Sequence, residues 1–290
     1  MNQRIERVRA AMQAQGLTQM IVSDPKSVWY LTGVEVEPYE RLLALYLPVC
    51  GEPVLFLNRL FNVPNPPCQA VWHDDAQDPV AQIAGVVDAA ATLGIDKEWT
   101  AKFLIPLMQH CPGMRVVLAS DCVDDCRACK DEAEQTLMRE ASRINDEVNA
   151  AVKQYVRVGM TEKQVARFVD EQYLAHGCEG NSFTTIVSFG ANAADPHHEP
   201  DNTVLQPGQC VLVDMGCRKN RYCSDMTRTW FAGTPTEKQA AVHELVHRAN
   251  LAAEALVKPG VRLCDVDAAA RQVIAQAGYG AYFNHRLGHF

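Results

Sequence analysis

The spacing of apolar residues along the first 120 positions predicts alternating helices and strands. Ile5, Val8 and Met12 recur at the spacing of a helix, which Gly16 ends. The further predicted elements are strands at residues 20–22, 42–49 and 54–57, a helix over residues 80–93, a strand from residue 95 and a strand over residues 114–118. Such a succession of short strands and helices predicts an α/β domain.

A longer amphipathic pattern runs through residues 130–157 and predicts a helix that begins a second domain. Thr161 and Gln164 form a capping box that opens the next helix, and Gly177 ends it. The other predicted elements are strands over residues 183–187, 210–215 and 222–231 and helices over residues 237–257 and 264–277. We therefore expect a mixed α/β (α+β) chain with domains at residues 1–127 and 128–290.

Composition excludes some classes of partner. The chain has 290 residues and a net charge of −8, and its basic residues form no stripe that could bind nucleic acid. No apolar run reaches the roughly 20 residues that span a bilayer, and the N-terminus lacks the apolar core of a signal peptide. The 11 cysteines are odd in number and irregular in spacing, which favours a reducing compartment. We expect a cytoplasmic protein without a membrane partner.

Three cysteines form a separate motif. Cys122, Cys126 and Cys129 have a spacing that holds an iron–sulfur cluster in other proteins. The segment runs directly into the predicted long helix, and short motifs of this kind often arise by chance. We expect the beginning of a helix and no cluster.

Carboxylates and histidines in the second domain are candidate ligands. Asp214 ends an apolar strand, and Asp225 follows 11 residues later on the expected returning strand. A hairpin would bring both carboxylates together, and a divalent cation such as Mn²⁺ or Zn²⁺ would remove their repulsion. Both could instead be turn residues in solvent. His289 follows a Leu-Gly step at the expected start of a strand, where it is either a metal ligand or an ordinary polar residue.

A loop at residues 188–200 displays His197 and His198 among Gly, Asn and Pro residues. A histidine on such a loop can donate a hydrogen bond to a developing oxyanion, although many loops only connect elements. The motifs are, in order, Gly-Ala-Asn at residues 190–192, Pro-His at 196–197, Val-Asp-x-Gly at 213–216, Ser-Asp-Met-Thr-Arg-Thr at 224–229 and His-Arg-x-Gly-His at 285–289. This order decides between the alternatives.

The motif order resembles the metal-dependent Xaa-Pro peptidases, which are the prolidase and aminopeptidase P group of metallopeptidase family M24. The resemblance implies a creatinase-like N-terminal α/β domain followed by a catalytic domain of the pita-bread fold. Methionine aminopeptidases share that fold, but the roughly 130 residues before the catalytic part have the size of a separate domain, which they lack.

The resemblance implies a site with two divalent ions, for which we expect Mn²⁺, with Zn²⁺ or Co²⁺ as alternatives. Asp214 would bind one ion, Asp225 would bridge both, and His289 would bind the second. The family also uses two glutamate ligands after the Gly-His motif, which would lie beyond Phe290. We therefore expect a catalytic domain that is truncated at its C-terminus and binds at most one ion.

The resemblance also implies roles for three other residues. His197 would stabilise the tetrahedral intermediate, Thr227 would orient a metal ligand, and His285 would line the substrate pocket. The implied activity is hydrolysis of Xaa-Pro bonds in dipeptides or oligopeptides, and we expect a homodimer. One alternative is a non-catalytic pita-bread module that binds peptides or proteins. Metal-free, creatinase-like hydrolysis is a third reading, which the two aspartates disfavour.

Overall fold

The structure is a computed structural model that describes residues 3–289. It divides between Lys130 and Asp131 into two compact units. The elements of the first unit are α1 (Gln3–Ala14), β1 (Gln19–Val22), α2 (Pro25–Thr32), β2 (Ala44–Pro48), β3 (Val54–Asn58), β4 (Gln69–His73), α3 (Pro79–Ala84), β5 (Leu93–Ile95), α4 (Ala101–His110), β6 (Val116–Leu118) and α5 (Asp121–Ala128). None of the helices in the described part of the chain is long and apolar enough to cross a membrane.

The first unit is built on a six-stranded mixed sheet with the order β4-β3-β2-β1-β5-β6. The strands predicted at residues 42–49 and 54–57 are present and form a hairpin, since β2 and β3 pair in antiparallel register. Every residue of β1 and β3 is buried, which is the pattern of strands that are covered on both faces. Two clusters of buried apolar residues contain side chains from these strands, with α1, α2 and α5 contributing to one and α3 and α4 to the other.

The prediction of a helix over residues 80–93 is wrong in its length. α3 ends at Ala84, where the Gly85 N–H donates to the carbonyl oxygen of Ala81. Leu93, the last residue of the predicted helix, instead begins β5, which starts there rather than at residue 95 and pairs in parallel with both β1 and β6. Pairing with these two strands, which are distant in sequence, satisfies the backbone N–H and C=O groups at the position where the spacing of apolar residues predicted the end of a helix. The pattern also missed α2, β4 and α4.

The cysteine motif lies on α5. Cys122 and Cys126 are one turn apart on the helix and are buried in the core of the first unit, whereas Cys129 is exposed after its end. Burial raises the pKa of the Cys122 thiol to about 11 and also raises the pKa of Cys126. Cluster ligands must be thiolates, so this packing favours a structural role for both side chains.

His73, at the end of β4, is a buried residue with an unusual environment. It is 2% exposed, and neither ring nitrogen has a hydrogen-bond partner. Burial lowers the pKa of His73, although Asp75 and Asp74 oppose the shift. Below pH ~6.5 the unfolded chain therefore binds a proton at this position that the folded chain does not, so stability falls as pH decreases through that range.

We expect His73→Leu to stabilise the protein by about 1 kcal/mol at pH 7.5, because it removes a buried polar N–H without a partner. The gain should grow by up to about 1.4 kcal/mol per pH unit below the unfolded pKa. Urea unfolding at pH 7.5 and 5.5, followed by tryptophan fluorescence, measures both effects. His247→Leu on an exposed helix surface is the control. An equal pH dependence in wild type and His73→Leu would contradict the prediction.

The second unit contains two three-stranded sheets and four α-helices among the described residues. Its elements are α6 (Glu132–Tyr155), α7 (Glu162–Ala175), β7 (Gly180–Asn181), β8 (Ile186–Phe189), β9 (Cys210–Met215), β10 (Cys217–Lys219), β11 (Tyr222–Cys223), β12 (Met226–Phe231), α8 (Glu237–Glu254) and α9 (Leu263–Gln276), with short 3₁₀ turns at Gly190–Ala194 and Gly280–Tyr282. The strand orders are β12-β9-β8 and β11-β10-β7. The capping box of Thr161 and Gln164 is present at α7.

Two strand predictions in this unit need correction. The strand predicted over residues 222–231 is interrupted, because Ser224 and Asp225 lie between β11 and β12. The chain bends there around Gly216: a Cβ atom at that position would lie 1.9 Å from the Ser224 carbonyl oxygen. The strand predicted over residues 183–187 instead forms slightly further along the chain, as β8 at Ile186–Phe189. His289, at which a further strand is expected to begin, lies in the loop of residues 284–289, and the continuation of that strand falls outside the described residues.

Buried hydrogen bonds fix the end of β9. The Tyr173 hydroxyl of α7 donates to Asn145 Oδ1 of α6, and Asn145 Nδ2 donates to the carbonyl oxygen of Met215 at 3.0 Å. All three residues are buried. Two helices therefore hold the backbone directly after Asp214, which gives this residue a defined position.

Candidate active site

Asp214 lies on β9 between two neighbouring strands. Its register partners are Ile186 on β8 and Thr227 on β12. One carboxylate oxygen, Oδ1, is buried and has no hydrogen-bond partner. Burial raises the pKa of Asp214, and Asp225 raises it further, while Thr227 and His289 oppose the shift. A desolvated acceptor without a donor is costly unless a cation or another ligand satisfies it.

Asp225 and His289 complete a cluster with Asp214. Asp225 raises the pKa of Asp214, and its own Oδ2 lies 3.5 Å from His289 Nε2. The side chains of Asp225 and His289 are 49% and 56% exposed, so both are open to solvent. Two carboxylates and an imidazole match the ligand preferences of divalent cations. The unpartnered oxygen of Asp214 fits a bound divalent metal ion, and Asp225 and His289 are neighbouring side chains of a suitable ligand type.

Helix α9 holds the segment that carries His285 and His289. Arg271 donates to the carbonyl oxygens of Phe283 and His285 at 2.7 and 3.1 Å, and Asp267 Oδ1 accepts from the Leu287 N–H at 2.8 Å. These contacts satisfy backbone groups of the segment without strand pairing. They explain how His289 reaches Asp225 from a loop rather than from the strand that the sequence suggested.

His197 and His285 form the second part of the site. Their ring centroids are 6.2 Å apart in an edge-on arrangement, and both side chains are exposed. The His197 N–H donates to Asp195 Oδ1 at 2.9 Å, which closes a tight turn in the loop. The structure thus places Thr227 opposite Asp214, His289 beside Asp225, and His197 beside His285.

A further cluster was missed by the sequence analysis. Glu162, His198 and Asp201 have candidate ligand atoms that all lie within 4.8 Å of one another, an arrangement that could hold a metal ion. His198 Nε2 and the Asp201 N–H both contact Glu162 Oε2, at 2.7 and 3.1 Å. Because hydrogen bonds already use these atoms, we interpret the cluster as a structural network. The feature of the sequence that could have indicated this cluster is Glu162, a glutamate within the capping box of Thr161 and Gln164.

Comparison with known proteins gives the family. Residues 136–290 match the model of metallopeptidase family M24, and residues 4–129 match that of the Creatinase/Prolidase N-terminal domain. The chain belongs to metallopeptidase family M24. An uncharacterized peptidase of Staphylococcus haemolyticus is 32% identical to this M24 peptidase over 296 residues, which cover 99% of this chain and 82% of the relative.

Solved structures share the fold of this M24 peptidase. Dipeptidase PepE from Mycobacterium ulcerans superimposes with a TM-score of 0.92 at 34% identity, over 99% of this chain and 79% of that one. A recombinant prolidase from Thermococcus sibiricus has a TM-score of 0.92 at 29% identity, over 99% and 80% of the two chains. The predicted creatinase-like domain and pita-bread catalytic domain are therefore confirmed. The exact domain boundaries stay predictions.

Proposed function

We propose that this M24 metallopeptidase hydrolyses the bond before proline in dipeptides or short peptides, using a divalent metal ion. The observation that carries the proposal is the buried, unpartnered Oδ1 of Asp214 beside Asp225, with His289 close to the latter. The structural similarity to a prolidase supports the choice of Xaa-Pro substrates. The earlier expectations of a homodimer and a cytoplasmic location stay predictions.

Asp214, Asp225 and His289 are the proposed metal ligands. Among the described residues, these three side chains form the proposed ligand set, and three ligands suffice for one ion. We propose Mn²⁺, with Zn²⁺ or Co²⁺ as alternatives, because carboxylate oxygens suit hard cations. When bound, the ion would polarise the substrate carbonyl and lower the pKa of a water molecule.

The remaining residues act on the substrate or on the ligands. His197 is proposed to donate a hydrogen bond to the carbonyl oxygen as negative charge develops on it. His285, whose ring lies edge-on to His197, would border the bound peptide. Thr227, which lies opposite Asp214 in the sheet and lowers the pKa of its carboxyl group, is proposed to orient that carboxylate.

Proline release from the dipeptide Ala-Pro tests the proposal. We expect release in the presence of Mn²⁺ and none after treatment with EDTA, because the carboxylates alone provide no electrophile. The dipeptide Pro-Ala, of equal composition, is the matched control and should stay intact. Release that persists in EDTA would contradict the metal requirement. Equal cleavage of both dipeptides would contradict the preference for a bond before proline.

A non-catalytic peptide-binding role is the second candidate. It is favoured by the exposure of about half of the Asp225 and His289 side chains, because catalytic sites generally exclude water around their charges. Calorimetric titration of Ala-Pro into the Mn²⁺-loaded chain separates the two functions. Saturable binding without proline release would support the binding module, and release would support the enzyme.

A further inference from the structure

Glu162 is a fully buried carboxylate at the first position of α7. Its Oε1 accepts hydrogen bonds from the Phe189 N–H at 2.7 Å and from Asn192 Nδ2 at 3.0 Å. Its Oε2 accepts from His198 Nε2 at 2.7 Å and from the Asp201 N–H at 3.1 Å. Four donors around one carboxylate, two on each oxygen, offset the cost of burying its charge.

The four donors are spread along one loop. Phe189 ends β8 at the start of the loop, Asn192 and His198 lie within it, and Asp201 is near its end. The carboxylate therefore holds residues 189–201 at several points at once. His197, the proposed oxyanion donor, directly precedes one of these points. Its own backbone contact is to Asp195, which belongs to the same loop.

A second glutamate shows that helix capping does not account for these contacts. The tetrapeptide Thr-Glu-Lys-Gln occurs at residues 161–164 and again at 236–239, and both copies form a capping box at the start of a helix. Glu237 has the same position in α8 as Glu162 in α7, but it is exposed. Both carboxylates stabilise a helix N-terminus by its dipole. The loop network distinguishes Glu162 from its counterpart.

We propose that Glu162 is a positioning residue, which holds the loop of residues 189–201 so that His197 can reach the substrate carbonyl. The proposal rests on the proposed function for its catalytic consequence. The ordering of the loop by Glu162 stands on the hydrogen bonds alone and can be measured without any activity.

Glu162→Gln provides a sharp test, because all four groups that contact the Glu162 carboxylate are hydrogen-bond donors. An amide keeps the size of the carboxylate but replaces one acceptor oxygen with an NH₂ group, which is a donor. Two of the four hydrogen bonds are then lost, whichever way the amide turns. Glu237→Gln makes the same chemical change at the same helix position and is the matched control.

Hydrogen exchange with mass spectrometry measures the loop directly. We expect peptides spanning residues 186–203 to exchange at least about tenfold faster in Glu162→Gln than in wild type, and to be unchanged in Glu237→Gln. Peptides of α6 should exchange alike in all three proteins. Unaltered exchange of the loop in a folded Glu162→Gln variant would overturn the proposal. If that variant does not fold, His198→Ala, which removes a single donor, should accelerate exchange of the same peptides.

Kinetics test the connection to His197. Glu162→Gln should lower kcat for Ala-Pro by about 100-fold, the effect of a small misplacement of a reacting group, with KM and Mn²⁺ affinity close to wild type. In a His197→Ala background the same substitution should lower kcat little further, because both changes remove one contribution. Full additivity would overturn the positioning role. Wild type without proline release would instead refute the proposed function, while hydrogen exchange would still decide whether Glu162 orders the loop.

Discussion

Asp225→Asn should abolish Mn²⁺ binding and lower proline release from Ala-Pro by more than about 100-fold, the upper range for losing an outer partner of a metal ligand. Asparagine keeps the shape of the side chain but removes the negative charge and one metal-binding oxygen. The Asp225 carboxylate raises the pKa of Asp214 and lies 3.5 Å from His289 Nε2. Calorimetric titration should give at most one equivalent of Mn²⁺ for wild type and none for the variant.

The same substitution should not destabilise the metal-free protein. Asp225 raises the pKa of Asp214, so its charge is unfavourable to a neighbouring buried carboxylate in the absence of a cation. In EDTA the variant should therefore unfold at or above the wild-type temperature, and only wild type should gain stability from Mn²⁺. Asp146→Asn on the exposed face of α6 controls for net charge. Full activity of Asp225→Asn would refute its role as a ligand.

His197→Ala should lower the rate of hydrolysis without changing the affinity for the metal ion. The imidazole lies on the loop beside His285 and makes no described contact with Asp214 or Asp225, so Mn²⁺ affinity should be unchanged. The kcat for Ala-Pro should fall by about 10²–10³-fold, as for the loss of one oxyanion donor. Steady-state kinetics and a parallel Mn²⁺ titration measure the two quantities.

His247→Ala on α8 serves as the control for the histidine substitution, since it changes an exposed side chain away from the loop. A joint loss of Mn²⁺ affinity and activity in His197→Ala would show that His197 is a metal ligand. Unchanged kcat would show that the oxyanion is stabilised by another group. In either case the proposed role would be wrong, but the assignment of Asp214 would not be affected.

Local signals in the sequence predicted the elements that close over short distances. The Thr161 capping box starts α7, and the antiparallel pairing of β9 with β12 places Asp214 opposite a residue of the motif that contains Asp225. Elements that depend on distant partners were predicted less well. β5 is paired between two strands that are remote in sequence, and α4 forms although Pro106 disfavours a helix interior. Tertiary packing of Leu107, which is fully buried, overrides that preference.

The order of the motifs was sufficient to identify the family and the candidate ligands, but not the route by which they meet. His289 reaches Asp225 from a loop that α9 holds through Arg271 and Asp267, rather than from a strand. The interruption of the strand at Asp225 follows from the close approach of Gly216 to Ser224. These arrangements depend on contacts between segments, which the hydrophobic pattern of one segment does not contain.

The two copies of Thr-Glu-Lys-Gln show where the sequence alone is sufficient and where it is not. Each copy determines a capped helix, because the hydrogen bonds of a capping box are made within four residues. Only the tertiary structure decides that Glu162 is buried and Glu237 is exposed. The donors that stabilise the buried carboxylate lie 27 to 39 residues further along the chain. They meet Glu162 only because β8 and the loop after it fold back onto the start of α7.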